Sequence, residues 1–201
     1  DNTRQGLNAR ETRLSNTNVK PAGFGKLFEH AVDGALFAQP LVVTGVSVPG
    51  RGIHDLVIVA TEANTVYAFD ANSASGSNAN PLWQVSLVDA AHGAPAGARA
   101  MPATALGVDA NGQALCGLTG PLVGVTGTPV IDRASKTMWV AAKSQEGGAI
   151  VHRLHALDIT TGAERAGSPV AIPGAMPMTE AFDPLWHFNR PALRSEEHTS
   201  E

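Results

Sequence analysis

The sequence predicts an all-β protein made of repeated strand–turn–strand units, and three observations support this fold class. Residues 56–70 and 138–158 repeat one order: an apolar run, a polar stretch and a second apolar run that ends in Asp. Gly and Pro, which mark tight turns, number 21 and 13 among the 201 residues. Long stretches with helical periodicity are absent. Self-similarity of this kind is typical of folds that stack one supersecondary unit on the next.

The first unit spans residues 40–87 and contains four predicted strands. They are short apolar runs separated by turn residues, and they lie at 41–43, 56–60, 65–69 and 82–87. Pro40 stands at the start of the first strand, a position that tolerates proline. Before this unit, the polar residues 1–20 predict an arm, whereas the alternating residues 24–32 predict one further strand.

A second unit, residues 128–172, follows in the same order. Its predicted strands lie at 130–132, 138–142, 154–158 and 169–172. A third unit begins within 185–193, so that Pro40, Pro129 and Pro191 are aligned. The long Ala/Gly/Pro-rich loop 88–127 is expected either to cover one face of the molecule or to be mobile filler.

Several predicted strands are apolar on both faces, which indicates how the units pack. The run 56–60 is continuously apolar, and both alternate sets of 66–69 are apolar. A strand that is buried on one side only would alternate. Burial on both sides places each sheet between two others, as radial stacking does in a β-propeller. We therefore expect a partial β-propeller over 21–193, with about two four-stranded blades and part of a third; the alternative is a large β-sandwich.

The last eight residues differ in composition from the rest of the chain. Residues 194–201 match one reading frame of a sequencing adapter at every position. We therefore expect this tail to be an artefact and the natural sequence to stop near Leu193. Glu196, Glu197 and His198 carry no functional weight in this interpretation.

Composition and charge narrow the possible roles. The net charge of −4 does not fit the basic footprint of a nucleic-acid-binding protein. No apolar run approaches the roughly 18 residues that a membrane-spanning helix needs. Cys116 is the only cysteine, which leaves neither an intrachain disulfide nor a thiolate metal cage. The expected partners are a protein or a polar small molecule or glycan.

Six polar residues at or near aligned positions are the candidates for a binding site. Three stand just before the aligned prolines, two stand just past the second strand of each unit, and one lies at the start of the third unit. They are Gln39, Thr128, Arg190, Glu62, Lys143 and His187. In a ring they would converge at one mouth of the central channel and bind a polar ligand. The alternative is that they satisfy strand ends and turns.

Other residues that could carry chemistry favour structural roles. His152 and His155 are three apart on one predicted strand, so they point to opposite faces and cannot share a metal. Residues 109–112 lack the downstream Glu of a calcium loop and predict a turn. The tryptophans are expected to pack between blades rather than on a cofactor. They are Trp83, Trp139 and Trp186.

The motif Ala-x-Asp-x-x-Thr-Gly is complete at 156–162, and a degenerate copy lies at 68–73 with Trp83 downstream. This repeat resembles that of the pyrroloquinoline-quinone-like (quinoprotein-type) β-propellers, and the resemblance covers residues 3–193. It implies that the small residue lets blades approach closely, that Asp-x-x-Thr-Gly forms a hydrogen-bonded turn and that the Trp docks on the neighbouring blade. It also implies a bacterial protein exported to the periplasm or the exterior.

The resemblance leaves two functions open. Many such propellers are not enzymes, so the first expectation is a non-catalytic binding or scaffold domain. The alternative is part of a pyrroloquinoline-quinone-dependent alcohol or sugar dehydrogenase that uses calcium. The vicinal cysteine pair that is usual in those enzymes is absent from this sequence, and no calcium ligand maps onto it. No catalytic or metal-binding residue is therefore assigned.

Overall fold

The computed structural model contains two antiparallel β-sheets, neither of which closes on itself. It describes residues 11–21, 23–114, 120–173 and 182–194. The first sheet has the strand order β1-β2-β3-β4, so each strand pairs with its neighbour in sequence. Its strands are β1 (Leu41–Val48), β2 (Gly52–Ala60), β3 (Thr65–Asp70) and β4 (Trp83–Ser86).

The second sheet contains six strands. They are β5 (Arg99–Pro102), β6 (Leu122–Val123), β7 (Val130–Asp132), β8 (Thr137–Glu146), β9 (Ala149–Asp158) and β10 (Val170–Ala171). Its order is β10-β9-β8-β5-β6, and β7 also pairs with β8. β8 therefore has two partners in succession along one side, β7 at its beginning and β5 near its end. Without β5 and β6, this sheet repeats the strand order of the first.

Every strand predicted for the two units is present, but the sequence misjudged three segments. The polar residues between the two runs of the second unit belong to β8 and β9, which meet at the tight turn Gly147-Gly148. The described residues between 23 and 40 contain no strand, so the strand expected at 24–32 is wrong. The segment 88–127, expected to be a plain loop, contains β5, β6 and short 3-10 helices.

The main hydrophobic core lies between the two sheets, which pack face to face. Buried side chains from both sheets interdigitate there. From the first sheet they include Val43, Ile58, Ala60, Val66 and Ala68, and from the second Met138, Val140, Ala142 and Leu157. The aliphatic runs that predicted the strands therefore also supply the apolar surface that joins the sheets.

Trp83 fixes the two sheets to each other. Its indole Nε1 donates to the carbonyl oxygen of Ile159 at 3.0 Å. Its ring lies against Gly162, where a Cβ would come within 2.7 Å of Trp83 Cε3. Gly162 ends the Asp-x-x-Thr-Gly turn, in which the Asp158 carboxylate accepts from the N–H of Thr160 at 2.8 Å. The chain thus has the hydrogen-bonded turn and the docked tryptophan that the resemblance implied.

The opposite face of the first sheet is covered by residues 28–33. The imidazole of His30 stacks on Phe69 with 4.1 Å between ring centroids. The Asp33 carboxylate accepts from the hydroxyl groups of Thr61, at 2.8 Å, and Thr65. β3 and the second half of β2 are therefore buried on both faces, as their doubly apolar runs predicted, whereas several residues of β1 are exposed.

Candidate functional site

The starts of the three predicted units lie side by side. The backbone N–H of Gln39 donates to the hydroxyl oxygen of Thr128 at 2.9 Å. The backbone N–H of Leu193 donates to the carbonyl oxygen of Thr128 at 2.9 Å. Thr128 thus connects the segment before Pro40 with the segment after Pro191. The unit starts that the sequence aligned with one another are therefore in direct contact in the structure.

Glu62 is buried, with 1% of its surface exposed, and holds the segment that leads into β7. Its Oε2 accepts from the backbone N–H of Gly124 at 2.6 Å and from the hydroxyl of Thr126 at 3.2 Å. Its Oε1 is buried and has no hydrogen-bond partner within the described residues. Burial raises the pKa of Glu62 above its ordinary 4.5, and the hydrogen bonds and the positive charge of Arg190 offset this rise in part.

Lys143 holds the segment that leads into the third unit. The side chain is fully buried, and its Nζ donates to the carbonyl oxygens of Leu185 at 2.7 Å and His187 at 3.2 Å. The ammonium also lies 4.1 Å from the centroid of the Phe188 ring, a cation–π contact. The segment 182–193 is therefore fastened to the outward face of the second sheet by a buried charge.

Glu62 and Lys143, which the sequence aligned with each other, perform the same task with opposite charge. Each side chain binds backbone groups of the segment that enters the next unit: the carboxylate accepts from N–H, and the ammonium donates to C=O. Gly124 lies between them, because its N–H binds Glu62 and its carbonyl accepts from the N–H of Lys143 at 3.1 Å. A Cβ at Gly124 would come within 2.5 Å of the Glu62 carbonyl oxygen, so a side chain does not fit.

The six candidates thus lie at or near the starts of the units, but their side chains differ in hydrogen bonding and exposure. Thr128, Glu62 and Lys143 bind peptide groups of the protein itself. The side chains of Gln39, His187 and Arg190 belong to exposed residues. His187 Nδ1 accepts from the backbone N–H of Asp183 at 2.9 Å. Convergence of all six on one polar ligand stays a prediction.

The two histidines of β9 lie in separate surroundings. His152 Nε2 is 3.0 Å from the carbonyl oxygen of Pro184, and burial lowers the pKa of this histidine. His155 is fully buried, with Nδ1 2.9 Å from Glu164 Oε2. Across the described ranges, no three His, Cys, Asp or Glu side chains are grouped to hold a metal. Cys116 lies outside those ranges.

The turn expected at 109–112 is present. The Asp109 carboxylate accepts from the N–H groups of Asn111 at 2.8 Å and Gln113 at 2.9 Å. Of the other two tryptophans, Trp139 is half-buried and Trp186 is 60% exposed, so blade packing describes Trp186 poorly. The adapter-like residues 195–201 lie outside the described part of the chain.

Two cavities were not anticipated from the sequence. One, of about 350 Å³, lies between β1 and β7 and is lined by 41–43, 129–131 and Arg133. The other, of about 260 Å³, lies on the outward face of the second sheet and is lined by Val130, Trp139, Leu154, Leu193 and Arg194. The apolar runs predicted the strands, but the space left between strands depends on how the two sheets pack.

A scan against protein-family models, a search of curated proteins and a search of solved structures found no match to this chain. No helix in the described residues is long and apolar enough to span a membrane.

Proposed function

We propose that this chain is part of a quinoprotein-like β-propeller and acts as a non-catalytic binding or scaffold domain. The observation that carries the proposal is the row of unit entries joined through Thr128, with Gln39 on one side and Leu193 on the other. Corresponding segments of successive blades become neighbours when sheets are arranged around an axis. The geometry of a two-layer β-sandwich does not require the starts of three equivalent units to lie next to one another in sequence order.

The contact between the sheets gives further support. Trp83 of the first sheet docks on the Gly162 turn of the second, and buried residues of both sheets form one core. The segment 182–193 then lies on the outward face of the second sheet, held by Lys143. These contacts run in one direction along the chain, from each unit to the next, as radial stacking requires.

The polar side chains at aligned positions favour a scaffold over an enzyme. Thr128, Glu62 and Lys143 use their polar atoms to hold entry segments, so their arrangement is explained by the architecture. Export from a bacterial cell is part of the same proposal and rests only on the resemblance to quinoprotein-like propellers.

The second candidate is part of a quinone-dependent dehydrogenase, and one observation favours it. Glu62 is a buried carboxylate with a raised pKa and an unpartnered Oε1, properties that are common in general bases. The chemistry of that candidate would come from pyrroloquinoline quinone and calcium. No described group of side chains is assigned to either of them.

A spectroscopic titration of the full-length protein with pyrroloquinoline quinone and calcium separates the two candidates. The scaffold proposal predicts that the quinone absorbance stays unchanged and that added alcohols or sugars do not reduce a dye. Tight quinone binding accompanied by dye-linked oxidation would replace the scaffold role with the dehydrogenase role. Glu62→Gln would then abolish oxidation if this carboxylate is the base.

A further inference from the structure

The groove between β1 and β7 has mainly aliphatic walls. Leu41, Val130 and Ile131 are half-buried along it, and Val42 is 65% exposed although it lies within a strand. The volume of about 350 Å³ falls within the range of roughly 300 to 1,000 Å³ that is usual for small-molecule sites. Aliphatic side chains that face open space in this way can gain free energy by contacting an apolar ligand.

Hydrogen bonds join the two strands beyond each end of the groove. At one end, the backbone N–H of Gln39 donates to the Thr128 hydroxyl at 2.9 Å. At the other, Arg133 Nη2 donates to the carbonyl oxygen of Thr44 at 3.0 Å. β1 and β7 are therefore held relative to each other at two points. A ligand would enter a preformed space and would not have to order the walls.

Arg133 brings a positive charge to one end of the groove. Its guanidinium donates to Thr44, and no acidic side chain in the described ranges forms an ion pair with it. Lys136, which also forms no ion pair there, lines with Arg133 a third, smaller cavity of about 140 Å³ that continues along β1. The carboxylates of Asp132 and Asp55 are already hydrogen-bonded, to Ser135 and to Gly45 and Asn72.

We propose that this groove binds a small amphipathic anion, with an aliphatic chain between 41–43 and 129–131 and a carboxylate at Arg133. The apolar walls would take the chain, and the guanidinium would supply charge-assisted hydrogen bonds to the anionic end. The inference rests on the proposed binding role and names its ligand class. It needs only the relative position of β1 and β7, not a complete ring.

The test measures binding of octanoate and of octan-1-ol to the intact chain by isothermal titration calorimetry. Both probes offer the same aliphatic chain, but only octanoate offers a charge for Arg133. We expect octanoate to bind about tenfold more tightly, the usual effect of one charge-assisted hydrogen bond. Equal affinity for the two probes, or no octanoate binding, would overturn the proposal.

Three variants locate the bound anion. Arg133→Gln should reduce octanoate affinity to that for octan-1-ol, and Val42→Glu should abolish it by placing a carboxylate in the groove. The control is Arg51→Gln, because Arg51 is also exposed and also donates to a carbonyl, that of Ser77 at 2.9 Å. Circular dichroism melts confirm that each variant folds.

The outcomes of these variants are distinct. An equal loss in the Arg133 and Arg51 variants would show a non-specific charge effect and would overturn the site. Octanoate binding that is unchanged by Arg133→Gln would place the anion elsewhere and would also overturn it. Failure of the groove leaves the quinone titration unaffected, so this inference and the proposed scaffold role are tested separately.

Discussion

Gly162 meets two requirements at one residue. Its φ of +77° lies in the left-handed region, and its α-carbon faces the ring of Trp83. Gly162→Ala should destabilise the protein by about 2 to 4 kcal/mol, because a strained backbone and an overpacked contact add. Urea denaturation measures the loss.

The control is Gly167→Ala. Gly167 has a φ of +82°, but a β-carbon added there would meet nothing within 4 Å, so this substitution adds backbone strain without a clash. We expect it to cost about 1 to 2 kcal/mol. Similar losses for the two variants would contradict a packing role for Gly162.

The buried carboxylate of Glu62 should make stability depend on pH. Because its pKa is raised in the folded state, the folded chain binds this proton more tightly than the unfolded chain does. Its contribution is therefore greatest below the ordinary pKa of 4.5 and declines as pH rises through the folded-state pKa. Glu62→Gln should remove this decline. The decline amounts to about 1.4 kcal/mol of stability for each unit by which the folded-state pKa exceeds the ordinary pKa.

Urea midpoints of the protein and of Glu62→Gln, compared from about pH 4 to pH 8, measure this effect. The stability difference should shift in favour of the Gln variant as pH rises. Glu29→Gln is the matched control, because Glu29 is exposed and pairs with Lys26 at the surface. A pH dependence that is identical with and without Glu62 would contradict the assignment.

At the scale of secondary-structure elements, β4 acts on its neighbour through one side chain. Trp83→Phe keeps an aromatic ring but removes the indole N–H. The buried carbonyl oxygen of Ile159 then loses this hydrogen bond. We expect a loss of about 1 to 3 kcal/mol in the free energy of unfolding. Trp186→Phe, at a 60% exposed residue, should change stability by no more than about 0.5 kcal/mol.

The segment 182–193 depends on β8 for its position. Lys143→Met keeps an unbranched apolar side chain but removes the donor to Leu185 and His187. Amide hydrogen exchange within 182–193 should become faster, while exchange within β2 and β3 stays unchanged. Lys26→Met, at an exposed lysine, is the control and should leave both regions unaltered. Faster exchange throughout the chain would indicate general destabilisation instead.

For the whole molecule, the outward face of the second sheet governs solution behaviour. Trp139 and Leu154 line a cavity of about 260 Å³ there, and Val170 of the edge strand β10 is 56% exposed. Exposed apolar surface next to a free strand edge promotes association. We expect the apparent molar mass of the isolated chain, measured by light scattering, to rise with protein concentration.

Trp139→Glu should reduce that association, and Trp139→Phe should not. A charge on this face opposes contact between two apolar surfaces, whereas a second aromatic ring preserves it. A monomeric sample with a sharp, cooperative melt at every concentration would contradict this prediction. The repeat pattern of the sequence also supports the prediction, because an incomplete ring exposes sheet faces and strand edges.

The sequence predicted local structure better than long-range contacts, for physical reasons. Short apolar runs between turn residues located the strands, because that pattern depends on neighbouring residues. It also aligned Glu62 with Lys143. It did not reveal that one binds the N–H of Gly124 and the other the carbonyl of Leu185, because such partners are set by packing between distant segments.

The misassigned strand at 24–32 has a similar cause. Alternation at 24–32 fits a strand, but residues 28–33 cover the first sheet with side chains such as His30 and Asp33. Their backbone pairs with no strand. Conversely, the polar residues near Gly147, which the sequence placed outside the strands, belong to a hairpin. β8 and β9 continue to pair beyond the apolar core, as far as Glu146 and Ala149. Pattern alone cannot distinguish a covering segment from a paired one.

The opposite charges of Glu62 and Lys143 give each junction between units its own identity. An entry segment that presents N–H groups suits the carboxylate, and one that presents carbonyl oxygens suits the ammonium. If the two segments were exchanged, the carboxylate would face carbonyl oxygens and the ammonium would face N–H groups. Such unpaired contacts cost free energy away from water. The order of the units is thereby encoded in their junctions, and an out-of-order assembly is penalised even though the strands themselves are alike.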